Sequence, residues 1–211
     1  MDDLLNILND VYQEVKDEDV IKITEIGTGT GQDSTVRLFE FFRDKYVNFK
    51  IDSYEGEASL FKLAHNYWSG INTVNIIEEY FSNKEDIPNL LIPNLPNYIK
   101  DYKETSDRFK EKYMKVYNLP NNNYTKNVNF IPNIVFIDAS RFMHINIINK
   151  CYELYNQNPE CIYIIEDDYF IDGNYGELEI IENNFILKDV KKYSKGTWQW
   201  PFVTFKIVGK K

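Results

Sequence analysis

The sequence predicts an α/β fold: a doubly wound, mostly parallel sheet finished by a C-terminal antiparallel hairpin. Three observations predict it. β-rich runs alternate with amphipathic helical stretches between Val20 and Ile77, the pattern of consecutive strand–helix–strand units. The first of those runs ends directly in Gly27-Thr28-Gly29-Thr30-Gly31. Two further β segments, Phe185 to Val190 and Phe202 to Val208, close the sequence and read as the hairpin. With 211 residues and no internal repeat or visible boundary, the chain is expected to be one domain, 1–211.

In order, Leu4, Leu5, Ile7, Leu8, Val11 and Tyr12 recur at helical spacing, so Asp3 to Val15 reads as a leading helix. Val20 to Ile26 is the first strand. After the glycine loop, Ser34 and Thr35 are candidate N-caps for a helix carrying Val36, Leu38, Phe39, Phe41 and Phe42. A strand at Phe49 to Glu55, a helix at Ala58 to Tyr67 and a strand at Thr73 to Ile77 follow. The rhythm then breaks. From residue 81 to 130 the chain holds Pro88, Pro93, Pro96, Pro120 and the run Asn121-Asn122-Asn123 around a charged helical piece, Tyr98 to Tyr117. A long insertion of this kind is a lid candidate. Order returns with a strand at Ile134 to Asp138, a helix at Ile145 to Tyr155 and a strand from Cys161 to Asp168.

The net charge is −9 and the pI is near 4.8. Basic residues pair up only at Lys191-Lys192 and Lys210-Lys211 in the tail, so nucleic acid is not expected as a partner. Two cysteines, Cys151 and Cys161, form no disulfide framework and lack metal-ligand spacing. No apolar stretch is long enough for a membrane span, and the acidic start Met1-Asp2-Asp3 is unlike a signal peptide, so a cytoplasmic protein is expected. A homo-oligomer is left open.

The strongest chemical signal is the strand leading into Glu25-Ile26-Gly27-Thr28-Gly29-Thr30-Gly31. Glycines there permit a tight turn and let a cofactor approach the backbone. Glu55 closes the next strand, where an acid can accept from both ribose hydroxyls. A dinucleotide loop wants glycine at its sixth position, where this chain has Gln32, and Glu25 fits poorly beside a pyrophosphate. A glycine loop of this kind can also serve merely as a turn.

On these residues the chain resembles the class I S-adenosylmethionine-dependent methyltransferases, whose Rossmann-like sheet carries an acid, an apolar residue and Gly-x-Gly-x-Gly, then a strand-end acid. The resemblance implies S-adenosylmethionine as cofactor, bound by Glu25, Gly27, Thr28, Gly29, Gly31, Ser34 and Glu55. A second cluster, Ile137-Asp138-Ala139-Ser140-Arg141 with Glu166-Asp167-Asp168, is similar to the divalent-metal sugar O-methyltransferases of the macrocin type. That similarity implies Mg²⁺ held by Asp138, Glu166 and Asp167, and a small hydroxylated acceptor such as a sugar or nucleotide-sugar. Where that group has its catalytic histidine this chain has Arg141, which would orient substrate. His144, one turn on, is either the base or an ordinary helix-start residue facing solvent. Two rivals stand beside this reading: a metal-independent methyltransferase for another acceptor, and a non-catalytic binding module of the same fold.

Overall fold

The computed structural model describes residues 3–84, 118, 120, 123–139, 143–166, 176–193 and 202–211. Its helices are α1 (Asp3–Val15), α2 (Ser34–Asp44), α3 (Ala58–Trp68), α4 (His144–Tyr155) and α5 (Gly176–Asn184). Its strands are β1 (Ile21–Ile26), β2 (Phe49–Tyr54), β3 (Val74–Ile77), β4 (Ile134–Ile137), β5 (Ile162–Glu166), β6 (Phe185–Tyr193) and β7 (Phe202–Lys210). The expected insertion at 81–130, with its helical piece Tyr98 to Tyr117, lies mostly outside the described residues.

The strands form one sheet in the order β3-β2-β1-β4-β5-β7-β6. The first five are parallel, and β7 runs antiparallel to both β5 and β6. The C-terminal hairpin therefore joins the sheet through its second strand. β7 is interior with burial along Phe202 to Ile207, and β6 is the edge, exposed over most of its length. Central strands are covered on both faces, which is why β4 reads as an unbroken apolar run, Ile134-Val135-Phe136-Ile137, all buried. One core face packs Leu4, Ile7, Leu38, Phe42 and Trp68 of α1, α2 and α3 against Ile21, Ile23 and Phe136. The other packs Ile147, Cys151 and Tyr155 of α4 with Leu178 and Ile181 of α5 against Val135, Ile137 and Tyr163.

α5 went unread in the sequence because acids and asparagines dominate it; Leu178 and Ile181 on it are buried. Lys206 on β7 ties the hairpin to α1: its ammonium stands 3.0 Å from Glu14, 3.1 Å from Glu160 and 3.8 Å from Asp189. Among the described residues no helix is long and apolar enough to cross a membrane.

The strand order reverses direction between β1 and β4. Ligands of open parallel sheets bind outside the carboxyl ends of the strands at such a point.

Candidate cofactor site

The loop leaving β1 turns on three glycines with positive φ, each needed for a different reason. Gly27 (φ +96) passes so close to the end of β4 that a Cβ would lie 2.1 Å from the Asp138 carbonyl oxygen. Gly31 (φ +73) packs on α3: its carbonyl accepts a 2.8 Å hydrogen bond from Trp68 Nε1, and a Cβ would stand 2.9 Å from that nitrogen. Gly29 (φ +58) has nothing within 4 Å of an added Cβ. Backbone packing requires glycine at Gly27 and Gly31, while Gly29 presents an open face to whatever enters.

Beneath the loop lies a buried polar knot. Glu25 is 0% exposed, and its carboxylate accepts from Ser34 Oγ and Thr35 Oγ1 at 2.7 Å each and from Ser53 Oγ. Glu25 and Ser53 are direct register partners on β1 and β2. Since the Ser53 proton is spent on Glu25, Thr28 Oγ1 donates to Ser53 Oγ, hanging the loop on the same knot. Burial pushes the Glu25 carboxyl above its ordinary value, against the lowering hydrogen bonds of Ser53, Ser34 and Thr35.

Three of the expected cofactor residues stand behind the loop. Glu25, Thr28 and Ser34 do not line the crevice; they brace the loop from behind, with exposures of 0%, 4% and 3%. Ser34 and Thr35 do not cap α2 either. Asp33 holds the N-cap position without a side-chain bond, and both hydroxyls reach across to Glu25. A carboxylate of the chain itself therefore stands against the side chains of the first two residues of α2.

Above the loop is a cavity of about 210 Å³ lined by Gly27, Gly29, Glu55, Tyr80, Asp138 and Met143 among others. Glu55 closes β2 with one carboxylate oxygen accepting from Gly29 N–H at 2.8 Å and the other from Glu57 N–H at 2.8 Å. Those bonds fix the carboxylate at the loop's open face. Glu57 and Glu79 also line the cavity, so with Glu55 and Asp138 it is bordered by four acids. Tyr54 and Phe81 add an apolar floor, their rings edge to face at 4.8 Å. This donor-poor, acid-rich lining fits a ligand carrying positive charge and a diol. It does not fit a pyrophosphate.

The expected catalytic cluster is less complete. Asp138 lines the cavity, and its N–H donates to Ile26 O at 2.9 Å, pinning β4 to β1. His144 is 1% exposed, so it is not a solvent-facing helix start. Its Nε2 sits 3.0 Å from the Ala139 carbonyl, to which it can only donate. Arg141 and Asp167 lie outside the described residues. Glu166 ends β5, one residue past the Ile137–Ile165 register pair and so level with Asp138. Among the described residues no three acids, histidines or cysteines converge on a metal position. Sequence reasoning missed Ser53, Trp68 and Tyr80. Of these only Ser53 left a signal, a small hydroxyl between Asp52 and Tyr54 at the buried end of the strand.

No protein-family model matches the chain, and no curated protein matches it in sequence. Solved structures do match in fold. A putative class I S-adenosylmethionine-dependent methyltransferase from Listeria monocytogenes is similar over 98% of this chain and 59% of its own, with TM-score 0.55 and 9% identity. A putative rRNA-methylase from Clostridium thermocellum covers 97% of both chains at TM-score 0.50 and 13% identity. The SAH-bound methyltransferase PaMTH1 of Podospora anserina covers 93% of this chain and 76% of its own at TM-score 0.51 and 12% identity. The fold is thus that of the class I S-adenosylmethionine-dependent methyltransferases. None of the three names a sugar as acceptor.

These likenesses correct one expectation. A net charge of −9 argues against nucleic acid as a partner, yet the same architecture carries a protein named as an rRNA-methylase. Net charge averages over the whole surface, whereas phosphate contacts need only a local patch, so the average does not decide the acceptor.

Proposed function

We propose that the chain is an S-adenosylmethionine-dependent methyltransferase that holds its cofactor in the crevice between the glycine loop, Glu55 and Asp138. The observation that carries this reading is the open face at Gly29 beside the fixed Glu55 carboxylate, in a crevice bordered by acids. A ribose diol can donate to Glu55, whose two oxygens are already aimed by backbone N–H groups. The cofactor's sulfonium and ammonium suit the acidic lining. When bound, the cofactor supplies an electrophilic methyl group. The chain's own contribution is to align that methyl with an acceptor and to exclude water.

For the acceptor we propose a small hydroxylated molecule, a sugar among them. Support comes from Asp138, the carboxylate on the β4 side of the crevice, which can take the proton an attacking hydroxyl releases. Titration calorimetry with S-adenosylhomocysteine tests the cofactor; absence of heat up to millimolar concentration sinks it. Labelled S-adenosylmethionine offered separately to metabolite, RNA and protein fractions tests the acceptor, and label in RNA or protein alone overturns the small-molecule reading while leaving the cofactor reading standing. EDTA in the same assay tests metal assistance at Asp138, Glu166 and Asp167: unchanged turnover removes it.

A further inference from the structure

One flank of α3 is apolar and open to solvent. Leu60, Leu63 and Tyr67 recur at helical spacing, and Ile71 continues the line in the turn that leads to β3. Leu63 is 53% exposed, Tyr67 52% and Ile71 39%. Single apolar side chains are ordinary on a surface, but a row of them along one helix flank is not. This row is not the packing face of the helix. Ala64 and Trp68 take that role, and the Trp68 ring meets Phe39 of α2 at 5.1 Å. Leu63 and Tyr67 therefore turn away from α2, toward the rim of the sheet where β3 runs.

The two rims of the sheet differ. β6 carries Lys188, Lys191 and Lys192, and its pairing shifts register between Lys188 and Lys191, where Asp189 has φ +55. Charges and bulges of this kind keep an edge strand from pairing with another chain. β3, which reads Val-Asn-Ile-Ile, has neither. Its ladder to β2 uses the carbonyls of Thr73 and Ile77, which accept from Ile51 N–H at 2.8 Å and Glu55 N–H at 2.9 Å. Backbone groups alternate sides along a strand, so the N–H and C=O of Ile76 point away from β2. Charge marks the same surface. The chain has 33 acids and a net charge of −9, so two copies repel, yet from Ala58 to Ile77 there is no Asp or Glu. We infer that a second copy of this chain docks here: β3 pairs antiparallel with its counterpart about a twofold axis at Ile76, and the α3 rows of both copies close over the joint. At that axis each Ile76 donates its N–H to the carbonyl of the other. One self-complementary surface supplies both halves, as a twofold contact requires.

Sedimentation of the full chain tests this. Wild type is expected to run as a dimer at about 100 μM, above the micromolar limit of interfaces of standard size. At that concentration the Ile76 amide should exchange with solvent more slowly than in the dilute monomer. Leu63→Glu/Tyr67→Glu puts two acids from each copy into the joint and should raise the dimer Kd about a hundredfold or more. Both side chains are more than half exposed, so the dilute double variant should melt within about 2 °C of wild type. Should it fail to fold, Leu63→Ser/Tyr67→Ser takes its place, with a loss of about tenfold or more. Val190→Glu, on the exposed β6 rim, should leave the dimer intact. Wild type that stays monomeric overturns the inference, even if this face captures another protein. So do a dimer that the α3 substitutions leave unchanged, one that Val190→Glu dissociates, and one whose Ile76 amide exchanges at the rate of the monomer.

Discussion

Replacing glycine by alanine at two positions of one loop separates packing from ligand approach. At Gly27 the new methyl would meet Asp138 O at 2.1 Å, Asp138 C at 2.6 Å and Ala139 N at 2.9 Å. All three are backbone atoms, so no side chain can swing aside, and φ of +96 is itself unfavourable for alanine. Backbone strain of about 1–3 kcal/mol and overpacking of about 1–3 kcal/mol give a loss of about 4 kcal/mol. At this chain length each kcal/mol moves Tm by about 2–4 °C, so Gly27→Ala should melt about 8–16 °C lower. At Gly29 the methyl meets nothing within 4 Å, and φ of +58 lies in the left-handed region. Only the backbone term remains, about 1 kcal/mol or about 2–4 °C. Yet Gly29→Ala places a methyl on the face offered to the cofactor, and should weaken S-adenosylhomocysteine about tenfold or more while remaining folded. Calorimetric melts and titrations on both variants check this. Equal drops in Tm, or undiminished affinity in Gly29→Ala, would refute the division of labour within the loop.

Removing Glu25 strands the hydroxyls of Ser34, Thr35 and Ser53 in the interior, so Glu25→Ala should lose about 3–5 kcal/mol in urea unfolding; a loss under 1 kcal/mol would mean the knot is not a brace. Because burial raises the Glu25 carboxyl, its contribution to stability declines as pH rises from the unfolded value through the folded one, and the Glu25→Ala deficit should narrow over that rise. Lys206→Met tests the opposite sign. Burial raises Glu14, but the hydrogen bond and charge of Lys206, joined by those of Lys191, outweigh it and hold the carboxyl low; the Lys206 hydrogen bond does the same to Glu160. Stability from these acids is therefore present above about pH 4.5 and lost as pH falls through their folded values. The Lys206→Met deficit, about 1 kcal/mol from the part-exposed Glu14 pair, should be visible in thermal melts at pH 7 and vanish near pH 3. A deficit that persists in acid would assign it to lost packing instead.

Local pattern made most of the sheet legible. Ile134 to Ile137 reads as a strand, and the apolar residues from Val36 to Phe42 after the glycine loop located α2. What escaped notice depends on distant partners. Ser34 and Thr35 look like caps because a cap is a contact within one turn, but their hydroxyls are claimed by an acid 9 and 10 residues back on β1. His144 reads as either a base or a solvent-facing helix start because only its place one turn past Arg141 is visible in one dimension, whereas its burial follows from how α4 closes on Ala139. Gly56 looks like one more loop glycine, and only the fold reveals the ring from residue 80 lying against it.

The same physics separates two ligand classes that share a glycine loop. A helix N-terminus after such a loop attracts negative charge, and in dinucleotide folds the ligand's pyrophosphate supplies it. Here β1 sets a carboxylate beside it. With Glu25 accepting from the first two residues of α2, an incoming pyrophosphate would meet a buried carboxylate behind the loop and Glu55, Glu57, Glu79 and Asp138 in front. A cation meets the reverse: acids arranged around an approach that Gly29 leaves clear. Glycine spacing permits either chemistry. The acids choose between them: Glu25 behind the loop and the four carboxylates in front repel a phosphate and attract a cation.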